Sequence, residues 1–147
     1  MLVRAEGTLP VTDVEAWATL TDWERQADWM PDVDSVRVLT PHREGVGVKI
    51  AAPARVLNVR LFTDYLTVTD WQPPELLVVE HRGIVRGLGV WSLDAVSGGT
   101  RLRWSEHLSL PLPIIGELAL LAYRPLQRRL MRRAITELGR RLAGPQR

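Results

Sequence analysis

The sequence contains no cysteine, one phenylalanine and a single lysine, Lys49. The missing cysteines exclude a disulfide framework and every thiolate zinc site. They fit a reducing compartment, and the expected location is cytoplasmic. No apolar run approaches the roughly 18 residues of a transmembrane helix. The longest, Leu110 to Ala122, is broken by Pro111, Pro113, Gly116 and Glu117. The N-terminus lacks a basic region followed by an apolar run, so no secretory signal is expected. No serine lies in a nucleophile-elbow motif. Gly83, Gly87 and Gly89 form no phosphate loop; they lie in or beside a strand, where glycine marks a bend or a close backbone approach. His42, His81 and His107 sit on separate segments without ligand spacing, so neither a metal nor a cofactor is expected.

What is present fits one domain, residues 1–147, long enough to bury a core without cross-links. The formal net charge is only +2, but it is unevenly spread. From Arg124 onward come Arg128, Arg129, Arg132, Arg133, Arg140, Arg141 and Arg147, opposed only by Glu137. This basic segment reads as a solvated outer face. It lacks the aromatic interleaving of a nucleic-acid surface, and no nucleic-acid partner is expected. Transient membrane contact is less remote, because Leu110, Leu112, Ile114 and Ile115 immediately precede it. The oligomeric state is not legible.

The order of elements is strand, helix, run of strands, helix, which indicates an α+β fold. Residues 2–9 read as a strand. Thr12 followed by Glu15 is a capping box ahead of Val14, Trp17, Ala18 and Leu20, which share helical spacing. Asp22 is placed to cap a second short helix that stops before Pro31. Strands follow at about 33–40, 46–56, 59–71, 75–83, 86–96 and 100–110, separated by turn signals such as Pro73-Pro74 and Gly98-Gly99. Residues 41–58 read either as a lid or as a hairpin. A last helix runs from about Pro113 to Ala143, with Leu126, Leu130, Ala134, Leu138 and Leu142 as its apolar stripe, helped by Met131 and Ile135. Pro125 should kink or divide it, and Gly144-Pro145 should close it.

One hairpin can be read residue by residue. A two-residue turn at Gly98-Gly99 pairs Ser97 with Thr100, then Ala95 with Leu102, Leu93 with Trp104, Trp91 with Glu106 and Gly89 with Leu108. Alternate residues share a face, and the apolar members mark it as the inner one. It carries one charge, Glu106. On the two preceding strands Phe62, Leu66, Val68, Leu77 and Val79 look inward, and Asp64 and His81 share their frame. The Gln72–Glu75 loop leaves His81 opposite either Asp64 or Leu66.

Three stretches carry a family resemblance: Val14–Asp22 with Trp29–Val33; Val68-Thr69-Asp70-Trp71-Gln72-Pro73-Pro74-Glu75-Leu76-Leu77; and Gly98-Gly99-Thr100-Arg101-Leu102-Arg103-Trp104 ahead of the Pro-rich approach to the final helix. In this order the sequence resembles the START-like superfamily of polyketide cyclases, lipid-transfer domains and related proteins. The resemblance implies a helix-grip fold, a bent antiparallel sheet closing on the C-terminal helix around a cavity. Members bind sterols, phospholipids, quinones, plant hormones or polyketide intermediates, and some are aromatases or cyclases.

The expected function is therefore binding of an apolar or amphipathic small molecule, as carrier or sensor. Candidate wall residues are Trp91, Trp104, Asp64, Phe62, Leu66, Val79, Leu93, Leu108, Leu126 and Leu130. Trp17 and Trp29 are expected to pack helix against sheet. A competing reading makes Glu106 and His81 catalytic in an aromatase or cyclase: a carboxyl of raised pKa beside a neutral histidine would move protons on a bound carbonyl compound. The plainer reading pairs Glu106 with an arginine, Arg82 or Arg86, near the cavity mouth. A third possibility is a protein-interaction module using the basic helix or residues 110–122.

Overall fold

The computed structural model describes residues 1–56 and 58–144. Strand β1 spans Leu2–Leu9, helix α1 Asp13–Leu20, and a 3-10 helix Trp23–Asp28. Six further strands follow: β2 (Arg37–Val38), β3 (Lys49–Val56), β4 (Val59–Gln72), β5 (Leu76–Arg82), β6 (Arg86–Val96) and β7 (Gly99–Ser109). Helix α2, Pro113–Leu142, is the last element of the described residues. The strands form one antiparallel sheet in the order β1-β7-β6-β5-β4-β3-β2. Residues 49–56 pair along β4, so the 41–58 segment carries a hairpin.

Local chemistry explains the ends of α1. The Thr12 hydroxyl accepts the Glu15 N–H at 3.3 Å, the first half of the capping box. Asp22 occupies the cap position of the 3-10 helix, but its side chain makes no capping bond there. Ala16, Trp17 and Leu20 turn inward, and Trp17 meets Trp71 edge-on with ring centroids 5.1 Å apart. Trp29 packs on Trp91 at 6.0 Å, so both tryptophans dock helical segments on the sheet as expected. Leu9, Leu20, Leu102 and Leu138 are essentially water-free in the core. Each such side chain contributes about 1.5–3 kcal/mol.

The β6–β7 hairpin corrects the predicted register by two residues. Ser97 and Gly98 form the turn and Val96 pairs with Gly99; Ala95 then meets Thr100, Leu93 meets Leu102, Trp91 meets Trp104 and Gly89 meets Glu106. The reason lies outside the hairpin. Gly99 has φ +148°, and a Cβ there would stand 1.9 Å from the Leu9 carbonyl oxygen. The second glycine opens β7 beneath the end of β1 rather than serving the turn. A shift of two preserves every face, so the inner set survives while its partners change.

Helix α2 begins with Pro113 in its first turn and stays one element through Pro125. Pro125 is exposed, and the carbonyl it leaves unbonded, that of Leu121, belongs to an exposed turn that water can reach. The buried stripe is Gly116, Leu120, Met131, Ala134, Ile135 and Leu138. Leu126 and Leu130 are half-buried on its flank. α2 packs mainly on β1, with further contact to β7. Gly144, at φ +87°, ends the helical region; Pro145 and Arg147 lie outside the described residues. Among the described residues no helix is long and apolar enough to cross a membrane.

Candidate functional site

Between sheet, 3-10 segment and α2 lies a cavity of about 120 Å³. Its sheet wall is built from alternate residues of consecutive strands: Ile50, Ala52 and Ala54 on β3, Asp64 and Leu66 on β4, Leu77, Val79 and His81 on β5, Gly89 and Trp91 on β6, Trp104 and Glu106 on β7. Trp23, Gln26, Met30, Asp32, Val33 and Val36 close one side, and Gln127 reaches in from α2.

The polar groups form a lane across four strands. His81 and Glu106 belong to β5 and β7, which are separated by β6, so their backbones lie on the order of 10 Å apart at normal strand spacing. Their side chains nonetheless meet, because β6 presents glycine between them. A Cβ on Gly89 would stand 2.9 Å from Glu106 Oε2 and 3.1 Å from Val79 Cγ2. Over that gap His81 Nε2–H donates to Glu106 Oε2 at 2.9 Å, and Nδ1–H donates to Asp64 Oδ2 at 2.8 Å. Trp104 Nε1–H donates to Glu106 Oε1 at 2.8 Å. His81 opposes Leu66, one of the two registers left open, and Asp64 reaches it diagonally. His81 and Glu106 are only 8 % and 7 % exposed.

These contacts overturn two expectations. Burial by itself lowers the His81 pKa, but hydrogen bonds to Asp64 and Glu106, together with their charges, outweigh it and push the value up to about 10. The histidine is an imidazolium with both protons held, not a neutral base. Among the described residues Glu106 meets no arginine: Arg82 donates to Glu80 on the outer face at 2.9 Å, and Arg86 is exposed.

The structure adds an acid from the Trp29–Val33 stretch. Asp32 lies on the cavity wall, and burial, reinforced by the negative charges of Glu106 and Asp64, raises its pKa to about 6 despite a backbone hydrogen bond that lowers it. Burial and the charge of Asp32 also push Tyr123 up to about 12.

Of the wall residues expected from sequence, Trp91, Trp104, Asp64, Leu66, Val79, His81 and Glu106 line the cavity. Phe62, Leu93, Leu108, Leu126 and Leu130 do not. Leu93 and Leu108 are buried at opposite ends of the β6–β7 hairpin, paired with Leu102 and Gly87, while Phe62 is half-buried. Gln127 replaces Leu126 and Leu130 because it lies seven residues after Leu120 and four before Met131, on the buried face of α2. That spacing was available in the sequence. Gln26, on a six-residue 3-10 helix, and Asp32, in the turn beyond it, lie in stretches too short to show periodicity. His42 and His107 are exposed and take no part.

Comparison with known proteins agrees with this architecture. No curated protein matches the chain. Among solved structures, protein TTHA0849 of Thermus thermophilus shares 20 % identity over 97 % of both chains, with a TM-score of 0.79. A START superfamily protein of Mycobacterium smegmatis shares 12 % over 97 % of both, with a TM-score of 0.74. DynU16, from the dynemicin biosynthetic locus, shares 17 % over 97 % of this chain and 47 % of its own, with a TM-score of 0.68. At these identities the likeness establishes the fold. The family model described as polyketide cyclase / dehydrase and lipid transport matches residues 2–143, so the chain belongs to that family, and it has the helix-grip fold that it shares with the START superfamily protein.

Proposed function

We propose that the protein binds a compact, largely apolar small molecule in the cavity, acting as carrier or sensor. The observation that carries this reading is the cavity itself, walled by Trp23, Trp91 and Trp104 and bearing a fixed polar lane at one end. Such a site buries an apolar body and orients one polar group. The test is native mass spectrometry of purified protein beside Ala52→Phe, which fills the cavity from a buried wall position. A co-purified molecule carried by the native chain and absent from the variant supports the reading. A molecule retained equally by both sinks it.

A second reading, acid–base chemistry of the aromatase or cyclase kind, is favoured by one group. A carboxyl with a pKa of about 6 on the cavity wall is poised to exchange a proton near neutral pH. This moves the catalytic role from His81 and Glu106, whose hydrogen bonds are committed to each other, to Asp32. On this reading Asp32→Asn abolishes turnover of a bound carbonyl compound; a variant with full turnover ends it.

The carrier reading extends to the outer surface. Leu112, Ile114, Ile115, Leu118 and Leu121 are all more than half exposed around the start of α2. At 100° per residue Ile114, Leu118 and Leu121 share the outward face with Arg128, Arg129 and Arg132 farther along. An apolar tip followed by arginines complements an anionic bilayer, with aliphatic side chains below the headgroups and guanidinium groups among the phosphates. We propose transient docking there.

A further inference from the structure

The charge on the cavity wall is one-sided. Four ionisable side chains line it: Asp32, Asp64, Glu106 and His81. Among the described residues no arginine or lysine does. Three carboxyl groups therefore face one imidazolium, and the wall carries surplus negative charge. Most charged and indole donors of the wall are already committed. Both N–H groups of His81 are engaged by carboxylates and the Trp104 indole by Glu106. Gln26 Nε2–H donates to the Leu20 carbonyl at 2.7 Å, and the Trp23 indole to the Arg43 carbonyl at 2.8 Å. Among the described wall residues, Gln127 and the Trp91 indole keep uncommitted side-chain donors, and Gln26 keeps its second amide N–H. Among the described residues two buried side-chain atoms lack a partner: the acceptor Asp64 Oδ1 on the cavity wall, and the donor Trp29 Nε1, on a ring packed against Trp91 but not itself lining the cavity. A buried carboxylate oxygen left unpaired is costly, and a donor supplied from outside would relieve that cost.

The aromatic wall points the same way. Trp91 and Trp104 meet edge-to-face with centroids 5.6 Å apart, and both line the cavity with Trp23. Indole faces attract cations, most strongly where water is excluded.

We infer that the ligand carries a cationic, hydrogen-bond-donating nitrogen on a compact apolar or aromatic body, with the nitrogen toward Asp32 and Asp64 and the body against the tryptophans. The inference rests on the cavity being a ligand site. It excludes molecules headed by carboxylate or phosphate, which would set like charge against the Asp32–Asp64–Glu106 wall.

Three single-ring probes that share a body and differ in head test it: phenethylamine, phenethyl alcohol and phenylacetate. Each is titrated into the full chain at pH 7.5 and followed by NMR of the tryptophan indole N–H signals. The amine is expected to bind about tenfold or more tightly than the alcohol, with phenylacetate weakest. Asp32→Asn should shrink the amine-to-alcohol ratio about threefold or more by removing one carboxylate. Asp64→Asn should do the same at the unpartnered oxygen. Asp32 makes no hydrogen bond to His81 or Trp104, so its replacement leaves the Asp64–His81–Glu106 lane intact. Equal binding of alcohol and amine, or preferred binding of phenylacetate, overturns the inference and leaves the cavity reading standing. If no probe moves the Trp91 or Trp104 signals, the cavity reading falls and the inference with it.

Discussion

His81 shows how one residue depends on partners drawn from separate strands. It stabilises the fold because two carboxylates hold its charge, and each carboxylate is tolerable in the interior because the imidazolium is there. Removing it by His81→Leu leaves Glu106 and Asp64 uncompensated and should cost about 3 kcal/mol or more, read from urea midpoints at pH 7. Adding Glu106→Gln to His81→Leu should recover part of the loss, since one stranded charge disappears. A double variant as unstable as the sum of its parts would contradict the coupling. The pH dependence follows from the direction of the shift. A histidine whose folded pKa is raised to about 10 binds its proton more tightly in the native than in the unfolded chain. Its contribution is complete below the unfolded value near 6.5 and is lost as pH rises toward about 10. The native chain should lose stability across that window, and His81→Leu should not show this decline. Sequence alternation placed Asp64, His81 and Glu106 on one face, because period-two patterning needs only the strand itself. It did not reveal that they touch, because contact across β6 depends on Gly89, whose role appears only when three strands are aligned.

At the scale of elements, the sequence was most informative where a periodic pattern ran long. β1 and α2 lie close to their expected bounds, and the inner face of the β6–β7 hairpin is correct. The register differs by two residues because Gly98-Gly99 is not a self-contained turn: Gly99 answers to Leu9, about ninety residues earlier. The two glycines should therefore respond differently to substitution. Gly98 has φ +85° with open space around it, so Gly98→Ala should cost about 1–2 kcal/mol, the strain of a left-handed residue. Gly99→Ala adds a collision with the β1 backbone and should cost more, about 3 kcal/mol or above by analogy with the severest backbone strains. Thermal melts of the two variants decide it: equal losses would mean that the β1–β7 approach is not the constraint. The same limit explains α2. A stripe chosen for its leucines named Leu126 and Leu130, while a stripe chosen for spacing would have accepted Gln127, a polar residue on the buried face because the cavity lies beneath it.

Over the whole molecule, buried and exposed apolar surface are distributed for different tasks. Aliphatic side chains and tryptophans together fill the core and wall the cavity, yet Ile114 and Ile115 remain 75 % and 71 % exposed at the start of α2. These are the least protected large apolar residues of the described chain, and they cluster with Leu112, Leu118 and Leu121 instead of scattering. The helix start carries no acidic residue in its first turn and no side-chain cap, so the positive end of its dipole faces outward at the same place. Farther along, Arg128, Arg129, Arg132 and Arg133 line a shared surface groove, while Glu137 is occupied by Arg140 and Arg141. If this end docks on bilayers, vesicles of phosphatidylcholine with phosphatidylglycerol should co-sediment the protein, and pure phosphatidylcholine should do so about tenfold less well at low salt. Ile114→Glu with Ile115→Glu should abolish sedimentation without lowering the melting temperature, because both positions are solvated. Replacing Arg128 and Arg132 by Gln should weaken binding chiefly to the anionic vesicles and flatten its salt dependence. Binding that ignores both the isoleucines and the salt would rule out membrane docking, and capture of a protein partner through the same residues, with no vesicle binding, would reassign the surface.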